Sequence, residues 1–561
     1  MPSPLIAHLA RDQQVAATAP PGPVLCVAPA GSGKTATLVA RIAWLIAEPE
    51  RADPATICAL TFNRRAAEEL RERIERSLAP LGLDGTAVRV RTFHALGRDI
   101  LREGGVNASL LIDRADLLPT LFRDAPPPVL RRLDDAFSRA KLDRRPLADG
   151  TGEAFATYQA ALEARGGLDF DDLVVRALDL LQGDAVALGS WRRRCAHLLV
   201  DEVQDVDRTQ LDLAVLLAGP ERRIFLVGDD DQTIYAWRLA DVRRVIGLAE
   251  RLPGLRRFDL TVNYRCPAPV VERAVRLVAH NRERFRKRIA PRPNAEGRLL
   301  LAPLPTDDVT RARRVLDRWV GDGLPRGELP REELPLDRRP GTSDGGARFR
   351  WAVLARTNAE LAPFAAVALE MGIAFSAEEH GLILDDPRVD DLLEAAEETA
   401  GPADEPLPAI GRVRTSASLE GVAEAPDGAV HPALPTERVR AALLSWAAPF
   451  PTLLDMREAL AEARSRLAVL HREDAPLVLA TVHGTKGLEF DHVAVVGLDE
   501  GRFPSRRSLE ESEDPGRALE EERRLAYVAW TRARRSLVLV YDPGAPSQFL
   551  REAFSEAELV A

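Results

Sequence analysis

The chain is poor in cysteine, poor in lysine and free of long apolar runs. Its four cysteines, Cys26, Cys58, Cys195 and Cys266, form no Cys-x-x-Cys pair, which argues against a zinc module and a disulfide framework and leaves ordinary core thiols. No stretch of about 20 uninterrupted apolar residues exists to cross a bilayer, and the N-terminus carries no basic segment followed by an apolar one; a cytoplasmic protein is the expectation. Lysine is scarcer still in relative terms, since Lys34, Lys141, Lys287 and Lys486 are the only lysines among 76 basic residues. A lysine retained in such a chain is expected where the wide planar head of arginine does not fit. The net charge of −10 is an average over domains and says little about a partner that would bind one surface. What is present is a globular balance, 46% hydrophobic and 29% charged over 561 residues, enough for three or four domains with large cores.

Apolar runs at Val24–Ala28 and Ile57–Thr61 alternate with helical stretches such as Arg64–Ser77, the pattern of a parallel α/β sheet. Residues 96–190 read instead as consecutive amphipathic helices. Strand-like runs return at Leu198–Val200, Ile224–Val227 and Phe258–Leu260, so the first sheet resumes after a helical insertion. A second α/β half begins near Arg265, with strands expected at Ala352–Ala355, Leu477–Thr481 and Val493–Val496. Gly321–Ala347 and Ala400–Pro435 are rich in Pro, Gly and acidic residues and read as loops or partly disordered insertions.

The run Val24-Leu25-Cys26-Val27-Ala28-Pro29-Ala30-Gly31-Ser32-Gly33-Lys34-Thr35 is a strand entering a small-residue turn that opens a helix. In a Walker A loop of this kind, backbone N–H groups of Ala30, Gly31, Ser32 and Gly33 converge on phosphates, Lys34 reaches the outer phosphates and Thr35 offers its hydroxyl to magnesium. Leu198-Leu199-Val200-Asp201-Glu202 supplies the metal side, with Asp201 for magnesium and Glu202 for the attacking water. Taken alone, an apolar run ending in Asp-Glu is also how a strand leaves a core for solvent; the pairing with Lys34 and Thr35 favours catalysis.

The next run, Gly228-Asp229-Asp230-Asp231-Gln232-Thr233-Ile234-Tyr235-Ala236-Trp237-Arg238, is too long and unusual for a generic ATPase feature. With Thr61-Phe62-Asn63, Thr92-Phe93-His94, Asp201–Asp205, Asn263-Tyr264-Arg265, Thr481–Phe490 and Tyr527–Arg534 in order, the chain resembles the UvrD/Rep/PcrA group of superfamily 1 DNA helicases. The resemblance implies two RecA-like parallel-sheet P-loop domains: 1–95 with 191–263, carrying a helical insertion at 96–190, and 264–399 with 472–561, carrying a reduced, partly looped insertion at 400–471. It implies that Gln13 reads the adenine edge, Tyr264 stacks on the base and Glu489 lies near the ribose. Gln232, Arg265 and Arg532 match groups that meet the γ-phosphate, and Phe62, Asn63, Thr92, His94, Tyr235, Trp237 and His483 match a track for single-stranded DNA, where flat side chains stack on bases. Phe93 and Tyr527 read equally well as core. Two positions depart from the family pattern: Pro29 stands in the loop, and Ala36 stands where relatives carry an arginine flanking the base. The acids of Asp169-Phe170-Asp171-Asp172-Leu173 match a family segment and read equally as an exposed helix start.

The implied activity is an ATP- and magnesium-dependent motor moving 3′ to 5′ on single-stranded DNA and opening 3′-tailed duplex. The alternatives are a translocase that strips proteins without unwinding, and a non-catalytic DNA-binding scaffold. Between Asn358 and Thr481 lie 122 residues, shorter than the stretch that in relatives holds a rotating helical subdomain, so a monomeric motor without that regulator is expected.

Overall fold

A computed structural model describes residues 6–47, 52–147, 150–326, 351–377, 384, 386, 388–413 and 436–560. The chain forms two compact units, Met1–Tyr264 with Glu283–Ile289, and Arg265–Arg282 with Ala290–Ala561.

The first unit is built on six strands: β1 (Val24–Val27), β2 (Ile57–Thr61), β3 (Arg89–Thr92), β4 (His197–Val200), β5 (Ile224–Gly228) and β6 (Arg256–Asp259). Their order is β3-β2-β4-β5-β1-β6, with every neighbour parallel. The central strands β1, β2, β4 and β5 are buried along their whole length, which is why they read as unbroken apolar runs rather than as an alternation with polar residues. Alternation survives as a choice between two cores. Ile57 and Ala59 join Cys26, Leu38, Ile42 and Leu70 on one face, while Cys58 and Leu60 join Leu96, Ile100, Leu173 and Leu178 on the other. All four cysteines are buried and free.

The segment between β3 and β4 is helical, from Phe93–Glu103 to Ala185–Arg194, and has a small core of its own around Phe137, Tyr158 and Leu162. Here the exposed reading of the acids near Asp169 gives way. Asp169 and Asp172 are buried, and the Asp169 carboxylate accepts from Arg114 at 2.6 Å, Lys141 at 2.8 Å and Tyr158 at 2.5 Å. A buried carboxylate needs such partners, and they hold its pKa well below the usual range against the opposing effect of burial.

The second unit has a sheet of β7 (Arg298–Pro303), β8 (Trp351–Ala355), β9 (Phe375–Ser376), β10 (Leu477–Thr481), β11 (Phe490–Val495) and β12 (Ala533–Tyr541). The order is β9-β10-β8-β11-β12-β7, again wholly parallel. Within the segment read as a loop from Ala400, residues Pro406–Arg412 form a helix that buries Pro406, Ala409 and Ile410. A proline is tolerated in the first helical turn, where its missing N–H has no partner to lose. That helix, Thr436–Ala447 and Leu453–Leu470 contribute Ile410, Leu443, Trp446, Met456 and Leu460 to one core with Val353 and Leu477 of the sheet. The remaining parts of the two expected loops, 327–347 and 414–435, lie outside the described residues.

Candidate nucleotide site and aromatic stack

The predicted residues of the first unit gather at the carboxyl ends of its parallel strands, the edge where open α/β sheets bind ligands. Leaving β1, the chain turns through Gly31 and Gly33, both with positive φ, and enters the helix Lys34–Ala47. A side chain at Gly33 would put its Cβ 2.4 Å from Gln13 Nε2, so this turn needs glycine for space as well as conformation. Gln13 is buried against the loop, donating to Ser32 O at 2.8 Å and accepting from Ala10 N at 3.0 Å. Ser32 Oγ is buried without a hydrogen-bond partner among the described residues. Such a hydroxyl, set among loop amides at a helix N-terminus, suits a phosphate oxygen. From the short strand Val262–Asn263 that follows β6, Asn263 Nδ2 donates to Ala30 O and, just after it, Tyr264 N to Gly31 O, each at 2.8 Å. The Tyr264 ring is thereby held beside the loop with 40% of its surface exposed.

At the end of β4, Glu202 occupies the left-handed region with φ 50°, a conformation that costs a non-glycine residue about 1–3 kcal/mol and tends to persist at functional positions. Its Oε2 accepts from Lys34 Nζ at 2.9 Å and from Gln204 Nε2 at 2.6 Å. Burial and the neighbouring Glu202 charge push the Asp201 carboxyl up to about 7. Two acids packed this closely suit a divalent cation, and with Thr35 at the head of the adjoining helix the donors are hard oxygens, the kind magnesium prefers.

The aromatic residues expected to meet DNA are brought together at the neighbouring strand ends. Phe62, after β2, stacks on Tyr235, after β5, with ring centroids 5.2 Å apart and planes 10° from parallel. Trp237 meets Tyr235 edge-on at 6.0 Å and leaves 57% of its own surface exposed. His94 stacks on Phe170 at 3.9 Å, and burial pushes its pKa down to about 4, so it is neutral at pH 7. Phe93 and Tyr527 are core residues. The Asn63 and Thr92 side chains have a structural use that the motif match does not reveal: each caps a helix, accepting from Ala66 N at 2.8 Å and Ala95 N at 3.2 Å, which satisfies a donor the helix itself cannot.

In the second unit, Arg265 and Glu489 are brought together, Arg265 Nε donating to Glu489 Oε2 at 2.7 Å and Nη1 to Thr531 O at 3.2 Å. Arg532 is buried, with Nε on Val528 O at 3.0 Å and Nη1 on Leu488 O at 3.1 Å. His483 follows β10, and burial with the charges of Arg356 and Lys486 drives its pKa down to about 3.

Two residues that the sequence reading gave no role join this site. Gln204 is fully buried; besides holding Glu202, its Oε1 accepts from Asp229 N at 3.0 Å. A Cβ on Gly228 would lie 2.3 Å from that oxygen, so the glycine ending β5 makes room for the carboxamide. The Lys287 side chain is completely buried, donating to Asp229 Oδ1 at 2.7 Å and also to Asp230, with Asp231 Oδ2 at 3.0 Å. The one signal for Lys287 was the rarity of lysine.

A family model described as the UvrD/REP helicase N-terminal domain matches residues 9–118 and 129–253, and one described as the UvrD-like helicase C-terminal domain matches residues 454–543. DNA helicase II of Escherichia coli is 27% identical over 638 residues, covering 96% of this chain and 85% of that protein. ATP-dependent DNA helicase Rep of Escherichia coli is 27% identical, covering 94% and 89%. ATP-dependent DNA helicase PcrA of Staphylococcus epidermidis is 25% identical, covering 98% and 86%.

Proposed function

The chain belongs to the UvrD/REP helicase family and is an ATP-hydrolysing DNA helicase, and from that premise we propose a cytoplasmic motor that moves 3′ to 5′ on single-stranded DNA and unwinds 3′-tailed duplex in repair or recombination. The observation that carries this reading is that one sheet edge presents both the Lys34–Glu202 pair at the phosphate loop and the Phe62–Tyr235–Trp237 stack. A phosphate-handling site and a base-stacking surface therefore share one rigid scaffold.

In this reading the amides of Ala30 to Gly33 and Lys34 cradle the phosphates, Gln13 and Tyr264 face the base, and Glu489 serves the ribose side. Glu202 orients the attacking water, and Gln232, Arg265 and Arg532 neutralise charge that develops on the γ-phosphate. Thr35 and Asp201 would hold magnesium, which supplies charge neutralisation between phosphate oxygens when bound. Lys34 is drawn to Glu202 in the structure and would exchange that partner for phosphate, leaving the carboxylate to act on water. On the DNA side Trp237, Tyr235 and Phe62 stack on bases, the neutral imidazoles of His94 and His483 present flat faces, and Asn63 and Thr92 line the strand-end edge.

The test measures ATP hydrolysis and strand separation on 3′-tailed, 5′-tailed and blunt duplexes. Stimulated hydrolysis with unwinding of the 3′-tailed substrate is expected. Unwinding confined to the 5′-tailed substrate would reverse the polarity, hydrolysis without strand separation would favour a translocase, and no stimulation by DNA would favour a scaffold. No helix among the described residues is long and apolar enough to cross a membrane.

A further inference from the structure

Residues Glu283–Ile289 belong to the first unit although the chain on both sides of them belongs to the second. This strap is fastened by charge. Arg284 donates to both carboxylate oxygens of Asp231 at 2.9 and 2.7 Å, Phe285 N donates to Asp230 Oδ2 at 2.7 Å, and the Arg257 guanidinium lies 4.4 Å from the centre of the Phe285 ring. Lys287 goes deepest, with its ammonium among all three aspartates.

Asp229 is the junction. Its Oδ1 accepts from Lys287 at 2.7 Å while its Oδ2 accepts from Gln232 Nε2 at 2.6 Å, and its backbone N–H donates to Gln204, which holds Glu202. We propose that Lys287 is a positioning residue for ATP hydrolysis: it fixes the Asp229 carboxylate so that this carboxylate in turn fixes the Gln232 side chain. The inference rests on the reading of Gln232 as a γ-phosphate contact. A compact ammonium is what the position requires, because three carboxylates approach one nitrogen from different directions and a planar guanidinium would not fit among them. The charges of the three aspartates hold Lys287 protonated against the effect of burial, and Asp231 is drawn down to about 2 by Lys287 and Arg284. The same contacts tether the Gln232 region of the first unit to a piece of chain whose two ends continue into the second.

A mutant cycle on the full chain tests this, read as kcat of ATP hydrolysis at saturating single-stranded oligothymidylate. Lys287→Gln and Gln232→Ala should each lower kcat by about tenfold or more, and the double variant should fall within about twofold of Gln232→Ala, since a residue acting through Gln232 has nothing further to remove. Oligonucleotide affinity of Lys287→Gln should stay within about twofold of the parent, because the positioning chain runs toward the phosphate side. Arg284→Gln, on the same strap but bound to Asp231, should keep kcat within about twofold. Losses that multiply in the double variant, or an equal loss in Arg284→Gln, would overturn the proposal in favour of a structural strap. If Gln232→Ala alone leaves kcat unchanged, the reading of Gln232 fails and the inference falls with it. Where Lys287→Gln does not fold, Lys287→Arg enters the same cycle; wild-type kcat in that charge-preserving variant also overturns the proposal.

Discussion

At the scale of single residues, a side chain's surroundings decide between chemistry and packing. Lys34 is held by Glu202, with Asp201 and Asp229 close enough to raise its pKa against burial, a setting that keeps the ammonium charged and ready to exchange its carboxylate partner for an incoming anion. Lys34→Ala should lower ATP turnover below about a tenth of the parent value, because losing one phosphate-clamping charge costs several kcal/mol in the transition state. Filter binding of a labelled single strand should change little, since the aromatic stack is separate from the loop. Lys34→Arg should be nearly as damaging, the wider head not fitting a turn shaped for an ammonium. For Trp237 the exposure settles the packing question: a ring with more than half its surface in water, flanked by the Arg238 guanidinium 4.4 Å from its centre, contributes little to a core. Trp237→Ala should therefore weaken single-strand affinity about fivefold or more, the scale of one lost base–aromatic stack, while the melting temperature and the basal ATPase stay near the parent values. A large fall in melting temperature with normal affinity would make Trp237 a core residue after all.

At the scale of elements, caps and strand ends carry the information. Asp207 caps the helix Arg208–Ala218 in a capping box, with Gln210 N on Asp207 Oδ1 at 2.8 Å and Asp207 N on Gln210 Oε1 at 3.3 Å. Its carboxyl is buried, and burial pushes it up to about 7. A folded-state pKa above the unfolded one means the folded protein holds a proton the unfolded chain releases, so this group's contribution is full below about pH 4 and is lost as pH rises toward 7. Asparagine caps as well as aspartate and carries no charge. Asp207→Asn should raise stability at pH 8 by on the order of 1–3 kcal/mol and remove part of the decline between pH 4 and 7, read by urea unfolding at both ends of that range. Strands buried on both faces were legible in the sequence: Ile57–Thr61 in the first unit and Leu477–Thr481 in the second coincide with the expected runs. The phosphate loop and the members of the aromatic stack were legible because each lies in a short motif, even though Phe62 and Tyr235 come from distant strands. Clusters whose partners lie outside any motif were not. Asp169 meets Lys141 and Arg114 across 28 and 55 positions, and Asp229 meets Lys287 across 58, distances at which no local periodicity marks a partner. Pro406–Arg412 escaped for the opposite reason, since a short helix rich in proline and glycine has the composition of a loop.

At the scale of the whole molecule, we propose that the interval between Asn358 and Thr481 is where this chain differs from its relatives. The match to DNA helicase II runs over 638 residues whereas this chain has 561, so the relative carries segments without a counterpart here. Within the interval, the described helices place Ile410, Leu443, Trp446, Met456 and Leu460 in the same core as Val353 and Leu477 of the parallel sheet, which leaves these helices as part of the second unit's own packing. This supports the proposal that a separately rotating helical subdomain is reduced. The family resemblance implies that this element brakes unwinding, offers a surface for self-association and grips the duplex, and we propose that this motor does without all three. The expected behaviour is unwinding by a monomer with low processivity. Single-turnover unwinding of a 3′-tailed duplex, followed from sub-stoichiometric to excess enzyme, should give an amplitude that saturates at one molecule per DNA end and falls steeply as the duplex is lengthened. A requirement for two or more molecules per end would sink the monomer proposal. A crystal structure with DNA showing a complete, separate helical subdomain within residues 400–471 would remove its basis, because the short interval would then hold the regulator that the proposal takes to be reduced.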